Sequence, residues 1–141
     1  MTTSDALDPQ EREVLAQIAD QLIPRSDEMP SASDVGIHRD LIDRVLRSRP
    51  DAVQALRDLL ARAADADPEQ FVRDLPVTDP DGSYLLRLFV GGGYLMDRRV
   101  ADLIGYHGQV ARPVNPNDYL GYVEEGLLDP VLERGPIYRE A

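Results

Sequence analysis

The fold of the chain is decided by its first helical stretch, LDPQEREVLAQIADQLIP, which covers residues 7–24. Asp8, Pro9 and Glu11 are the expected start of a helix, because they supply a capping side chain, a first-turn proline and the acid of a capping box. Pro24 ends the stretch. Apolar residues between these ends recur at helical spacing, which predicts one face buried against other helices. They are Val14, Leu15, Ile18, Ala19, Leu22 and Ile23.

Four further segments continue the helical pattern. We expect a second helix over about residues 34–48, a third from Pro50, a short fourth from Asp67 and a fifth from Asp79. Each of the last three starts next to a proline, which suits the first turn of a helix. No segment shows sustained alternation with a period of two. The sequence therefore predicts an all-α fold, a compact bundle of about five helices.

Three consecutive glycines, Gly91-Gly92-Gly93, interrupt the fifth helical segment. Glycine carries a high entropic cost inside a helix, so we expect either a break or close packing at this point. A final short helix should begin near Arg98 and end at Gly105, since glycine commonly follows the last turn of a helix.

The last third of the chain differs in composition. Residues 106–141 contain repeated prolines and glycines and allow at most a short helix, either after Asp118 or over residues 123–128. The segment also carries many tyrosines and aliphatic residues, which disordered segments lack. We therefore expect a single domain with a helical body over residues 1–105 and an irregular C-terminal arm over residues 106–141, which packs on the body or on a partner.

Composition excludes several classes of function. The chain has no cysteine, which rules out disulfides, thiolate catalysis and iron–sulfur ligation within it. Its net charge is -11, and all of its basic residues are arginines. A strongly acidic chain is a poor ligand for nucleic acid or anionic membranes. No apolar stretch approaches the roughly 20 residues that span a bilayer, so we expect no membrane insertion.

No group of residues forms a convincing catalytic, cofactor or metal site. His38 is interpreted as a surface or capping residue. His107 lies between two glycines, and with Asp102 or Tyr106 it could serve as an acid–base group. A small stand-alone enzyme that uses His107 is therefore the alternative hypothesis. The glycine run lacks the spacing of a nucleotide loop, and Glu124-Glu125 matches no calcium-binding loop.

The tyrosine-rich arm is the strongest signal outside the predicted core. Tyrosine and arginine are enriched at protein interfaces, where an apolar ring with a polar tip binds well. We expect a partner-binding surface with contributions from the body as well as the arm. Its candidate residues are Tyr94, Arg98, Tyr106, His107, Tyr119, Tyr122, Leu127, Leu128, Ile137 and Tyr138. A homo-oligomer, formed by exchange of the arm between identical chains, is a third possibility.

Three parts of the chain carry a family resemblance: LDPQE with LAQIADQLIP (residues 7–11 and 15–24), Gly36 with LIDRVL (residues 41–46), and GGYLMD with LIGYHG (residues 92–97 and 103–108). They are similar to the motifs of the gluconate 2-dehydrogenase subunit 3 family. The resemblance implies a small subunit of a flavin-dependent dehydrogenase that oxidises sugars. It also implies that FAD and the chemistry reside in a large subunit of the glucose–methanol–choline (GMC) type, from which a cytochrome c often takes the electrons.

The resemblance thus implies a non-catalytic, chaperone-like subunit of a hetero-oligomer, with no cofactor of its own. Many members of the family carry a twin-arginine export signal, which this chain lacks. We therefore expect a cytoplasmic complex, or a periplasmic one only if the chain is exported with a partner. His107 stands where the family often has proline, and Arg98 follows Asp97 in place of proline, which indicates a divergent branch.

Overall fold

The computed structural model describes residues 7–109, 111, 121 and 124–137. The chain divides into two units, one that extends through His107 and one that begins at Gly108. The described residues contain helices and turns but no strand, which confirms the predicted all-α fold class.

The described residues of the first unit form six α-helices. They are α1 (Pro9–Leu22), α2 (Ile42–Ser48), α3 (Val53–Ala64), α4 (Pro68–Thr78), α5 (Pro80–Leu95) and α6 (Arg98–Leu103). A short 3-10 turn, Pro50–Ala52, leads into α3. Helix α5 contacts all five other helices, and α1 packs against α3 and α4. The core of the unit is therefore organised around α5.

The start of α1 matches its sequence signature. Asp8 Oδ1 accepts a hydrogen bond from Glu11 N at 2.8 Å, and Asp8 N donates to Glu11 Oε2 at 2.7 Å. These two bonds form the predicted capping box and satisfy backbone donors that a helix start leaves unpaired. Leu15, Ile18 and Ala19 on the predicted apolar face are fully buried.

The second helix begins later than predicted. Gly36 adopts a left-handed conformation with φ 76°, which glycine tolerates without a steric penalty. A π-helical turn, Ile37–Leu41, follows and contains the non-helical backbone of Arg39 (φ -107°, ψ -124°). Regular α-helix starts only at Ile42, so the predicted start near residue 34 is wrong. The side chain of Asp34 instead accepts a hydrogen bond from Ser31 N at 2.8 Å, in the preceding loop.

Arg12 on α1 binds the irregular turn before α2. Its guanidinium donates to the carbonyl oxygens of His38 and Arg39, both at 3.1 Å, and to Leu7 O at 3.2 Å. It also forms a 2.8 Å ion pair with Asp43 on α2. An irregular turn leaves carbonyl groups without helical partners, and Arg12 supplies donors for them. One side chain thus joins α1 to the turn and to α2.

The glycine run does not break α5, which continues through it to Leu95. A Cβ atom added at Gly93 would collide with the side chain of Ile37, whereas Cβ atoms at Gly91 and Gly92 would meet nothing within 4 Å. Close packing, one of the two expected outcomes, is therefore found at Gly93, and the helix break is wrong. The predicted end of α6 at Gly105 is confirmed: Tyr106 N donates to Ala101 O at 2.8 Å, as in a helix-terminating motif.

In the second unit the structure describes one complete helix, α7 (Asp129–Arg134). Residues 125–128, where a short helix was expected, form turns. Gly121 and Glu124 are helical, and Glu125 N donates to Gly121 O at 2.8 Å, which agrees with the expected short helix after Asp118. Residues 118–120, where this short helix was expected to begin, lie outside the described residues. The helix α7 is a further one and starts at the Asp129-Pro130 pair.

Substitution of neighbouring glycines in α5 should have opposite effects on stability. Gly92→Ala should raise the free energy of unfolding by about 0.5–1 kcal/mol, because alanine favours the helix and its methyl group has space. Gly93→Ala should lower it by about 1–3 kcal/mol, because the methyl group overlaps buried Ile37. Urea unfolding followed by circular dichroism measures both. Equal effects at the two positions would contradict the packing described at Gly93.

Removal of the Arg12 side chain should destabilise the first unit strongly. Arg12→Ala leaves three carbonyl oxygens without their donor and Asp43 without its partner, at a cost of roughly 2–4 kcal/mol in the free energy of unfolding. Arg73→Ala is the matched control, since Arg73 makes only an exposed ion pair with Glu69. Its effect should stay within about 0.5 kcal/mol. A similar loss in both variants would argue against the role given to Arg12.

Candidate partner-binding surface

Apart from the single Val77 on α4, the large apolar side chains that the described part of the first unit exposes lie in two places. One is the outer face of α5, which carries Tyr84 and Leu88 in its middle and Leu95 and Met96 at its end. The other is the end of the unit after α6. It exposes Leu103, Ile104 and Tyr106, which are 49%, 52% and 56% exposed. Large apolar side chains that gather in one place mark interaction surfaces more often than scattered ones do.

Three of the candidate residues, Arg98, Tyr106 and His107, lie at this second place. Arg98 is exposed and pairs with Asp102 one helical turn later, at 3.1 Å between Nε and Oδ1. Tyr106 and His107 are exposed directly after the left-handed Gly105. Their side chains are accessible to a partner, although their role in binding stays a prediction.

Tyr94 occupies a different environment. Its side chain is buried, with 6% exposed, and its hydroxyl donates to Pro30 O at 2.7 Å. Burial raises the pKa of this hydroxyl, and the nearby charge of Asp97 raises it further. The bond attaches the loop before Gly36 to α5. Tyr94 thus stabilises the unit and offers little surface to a partner.

The second unit exposes most of its apolar side chains. Leu127, Leu128 and Ile137, all of them predicted for the surface, are 59%, 45% and 72% exposed. Val131 and Leu132 on α7 are exposed as well and were missed. Leu128, Val131 and Leu132 have the spacing of residues on one face of a helix. The pair Asp129-Pro130 is a helix-start signal in the sequence and could have identified this face. The remaining candidates, Tyr119, Tyr122 and Tyr138, lie outside the described residues.

The outer face of α5 was also missed by the sequence analysis. Leu86 and Phe89 face the core and are fully buried, whereas Tyr84, Leu88 and Leu95 lie on the side of the helix opposite Leu86 and are exposed. A helix that is apolar on all sides needs cover on all sides. This composition was the available signal for a second apolar face on α5.

The groups of the alternative enzyme hypothesis lie near one another in sequence but are not joined. In the described part of the chain, no hydrogen bond connects His107 with Asp102 or Tyr106, and Asp102 is engaged by Arg98. Likewise, no cluster of three or more acidic or histidine side chains suited to a metal ion occurs within the described ranges.

His38, which the sequence predicts to be a surface or capping residue, lies within the irregular turn and is half-buried. Its Nε2 accepts a hydrogen bond from Arg39 Nε at 3.3 Å, while its buried Nδ1 has no partner among the described residues. Burial lowers the pKa of this imidazole, and the positive charge of Arg39 lowers it further. The neutral form of His38 is therefore favoured in the folded chain.

Comparison with known proteins identifies one family. A family model described as gluconate 2-dehydrogenase subunit 3 matches residues 9–79, which extend from the start of α1 to the cap of α5. No curated protein and no solved structure matches the chain significantly. Within the described residues, no helix combines the length and the apolar character that a membrane crossing requires.

The position of His38 predicts a pH-dependent stability. Because its pKa in the folded chain is below the ordinary 6.5, the unfolded chain binds the proton more tightly. The free energy of unfolding should therefore fall as the pH drops below 6.5. His38→Gln should reduce this fall, measured by urea unfolding just above pH 6.5 and about one unit below it. The control His107→Gln, at an exposed position, should retain the wild-type fall; an unchanged slope in His38→Gln would contradict the assignment.

Proposed function

The chain belongs to the gluconate 2-dehydrogenase subunit 3 family, and from this premise we propose that it is a non-catalytic accessory subunit. Its partner is a large FAD-dependent dehydrogenase or oxidase of the GMC type that acts on sugars or sugar derivatives. The accessory subunit binds this partner and stabilises it. Oxidation takes place in the large subunit, which passes electrons to a cytochrome c or another acceptor.

One observation carries the proposal: the second unit is rich in apolar side chains, yet none of its described residues is buried. Leu127, Leu128, Val131, Leu132 and Ile137 are all at least 45% exposed. Burial of one aliphatic side chain contributes about 1.5–3 kcal/mol. A partner that covers several of them would gain enough to offset the cost of ordering this segment. The composition and exposure of the unit support this role in binding.

The chemistry of the chain supports a role in binding. The groups suggested for acid–base catalysis are not connected, and Asp102 already pairs with Arg98. A subunit that binds only the folded form of its partner stabilises that form by mass action. This is the physical basis of a chaperone-like role. It requires no reaction in the small subunit.

Substitution of exposed apolar residues of the second unit by glutamate tests the proposed binding directly. The tagged chain, co-expressed with the large flavoprotein subunit of the same host, should recover FAD in a fixed ratio. The double variant Leu132→Glu/Ile137→Glu should reduce the recovered FAD at least about tenfold, which corresponds to about 1.4 kcal/mol of binding free energy. Its thermal unfolding should be unchanged, because both side chains are about 70% exposed.

Val77→Glu is the matched control for these substitutions. Val77 is 86% exposed on α4 and belongs neither to the apolar face of α5 nor to the second unit. This variant should recover as much FAD as the wild type. A wild-type chain that recovers no flavoprotein would overturn the proposed function. Full recovery by the double variant would show that the second unit does not bind the partner.

A further inference from the structure

The outer face of α5 is apolar, exposed and flanked by grooves. Tyr84, Leu88 and Leu95 lie along it at spacings of four and seven residues, and are 69%, 38% and 58% exposed. Residues at these spacings share one side of a helix. The face continues into Met96, which is 40% exposed.

Two grooves border this face. A groove of about 410 Å³ lies between α5 and α2 and is lined by Val45, Leu88, Gly92 and Met96, among others. A second groove of about 300 Å³ lies between α5 and α1 and includes Gly91. Because Gly91 and Gly92 have no side chain, the ridge of α5 is lowered between Leu88 and Leu95. The surface therefore has a saddle with an apolar side chain at each end.

Charge around the saddle is positive on an otherwise acidic protein. Arg44 and Arg49 line the groove on the α2 side, and Arg87 lines the groove on the α1 side. No carboxylate is among the described residues that line either groove. Arg49 is paired with Asp51 at 2.8 Å, but no ion pair to a described residue engages Arg44 or Arg87. Two arginines thus border an apolar surface without a carboxylate partner in the described part of the chain.

We propose that the outer face of α5 binds an apolar α-helix of the large flavoprotein subunit, whose flanking carboxylates pair with Arg44 and Arg87. This inference rests on the function proposed above and adds the surface and the chemistry of its partner. Leu88 and Leu95 fit on either side of the bound helix. Gly91 and Gly92 allow the two helix backbones to approach closely, since the distance between packed helices depends on the side chains at the contact.

A second copy of this chain fits the face less well. A symmetric dimer brings the same patch of both copies together. Arg44 and Arg87 of both copies would then enter one apolar interface, without a carboxylate from either groove to neutralise them. Like charges brought together in this way oppose association. The charge pattern therefore favours a partner that carries carboxylates beside its apolar surface.

A larger side chain at position 92 distinguishes a role of Gly92 in binding the partner from a role in stabilising the fold. Gly92→Leu should reduce the FAD that co-purifies with the tagged full-length chain at least about tenfold. Its resistance to urea should equal or exceed that of the wild type, since the position is open and leucine favours a helix. Leu95→Glu, at an exposed position, should cause a similar loss and serves if Gly92→Leu folds poorly. A merely structural role for Gly92 would instead lower stability together with binding.

Charge reversal at Arg44 tests whether carboxylates of the partner pair with the arginines beside the outer face of α5. Arg44→Glu should also reduce the recovered FAD about tenfold or more, whereas Arg73→Glu, at an exposed position on α4, should have no effect. Because the chain has no cysteine, Leu88→Cys introduces a single thiol for a photo-activated cross-linker. The cross-linked peptide should come from the large subunit and carry apolar residues at helical spacing next to carboxylates.

The outcomes distinguish this inference from the proposed function. If the wild type recovers flavoprotein and Gly92→Leu, Leu95→Glu and Arg44→Glu recover it equally well, the α5 interface is overturned and the accessory function stands. If the wild type recovers none, the proposed function fails. A cross-link to a second copy of this chain, with a dimer in light scattering that Gly92→Leu abolishes, overturns the proposed partner of α5.

Discussion

The contact of Arg12 with the turn before α2 is the constraint on which the first unit depends. The backbone leaves the α-helical path between Gly36 and Ile42, so its carbonyl groups need donors from elsewhere. Arg12 donates to two of them and to Leu7 O, and it pairs with Asp43. An arginine suits this task because its planar guanidinium presents several donors in a fixed geometry.

The same turn determines how α5 packs. Ile37 at the beginning of the turn fills the space above Gly93, so α5 can approach only if residue 93 has no side chain. Tyr94, the next residue, donates to Pro30 O and attaches the loop that precedes the turn. The irregular segment between α1 and α2 is therefore fixed from both sides, by Arg12 on α1 and by two consecutive residues of α5.

The inner sides of α5 are covered by the other helices of the unit, since α5 contacts each of them. Its outer side remains exposed although it carries Tyr84, Leu88 and Leu95. Two of the three glycines also face open space, where they cost helix stability without a packing benefit inside the chain. The exposed apolar side chains of α7 present the same situation in the second unit. The accessory role proposed above accounts for both, because the proposed partner supplies the missing cover.

The sequence by itself determined the helices with strong end signals, such as Asp8 and Glu11 at α1 and Gly105 after α6, because capping depends on residues within one turn. It also determined the fold class, through the spacing of apolar residues, and the family, through short motifs. It did not determine the path between Gly36 and Ile42, the choice between a break and close packing at Gly93, or the burial of Tyr94. Only the tertiary structure decided these, because each depends on a residue distant in the chain: Arg12, Ile37 and Pro30. The tertiary structure also decided which face of α5 is exposed. The positions of the other helices determine whether an apolar residue of α5 is buried or lies at the surface.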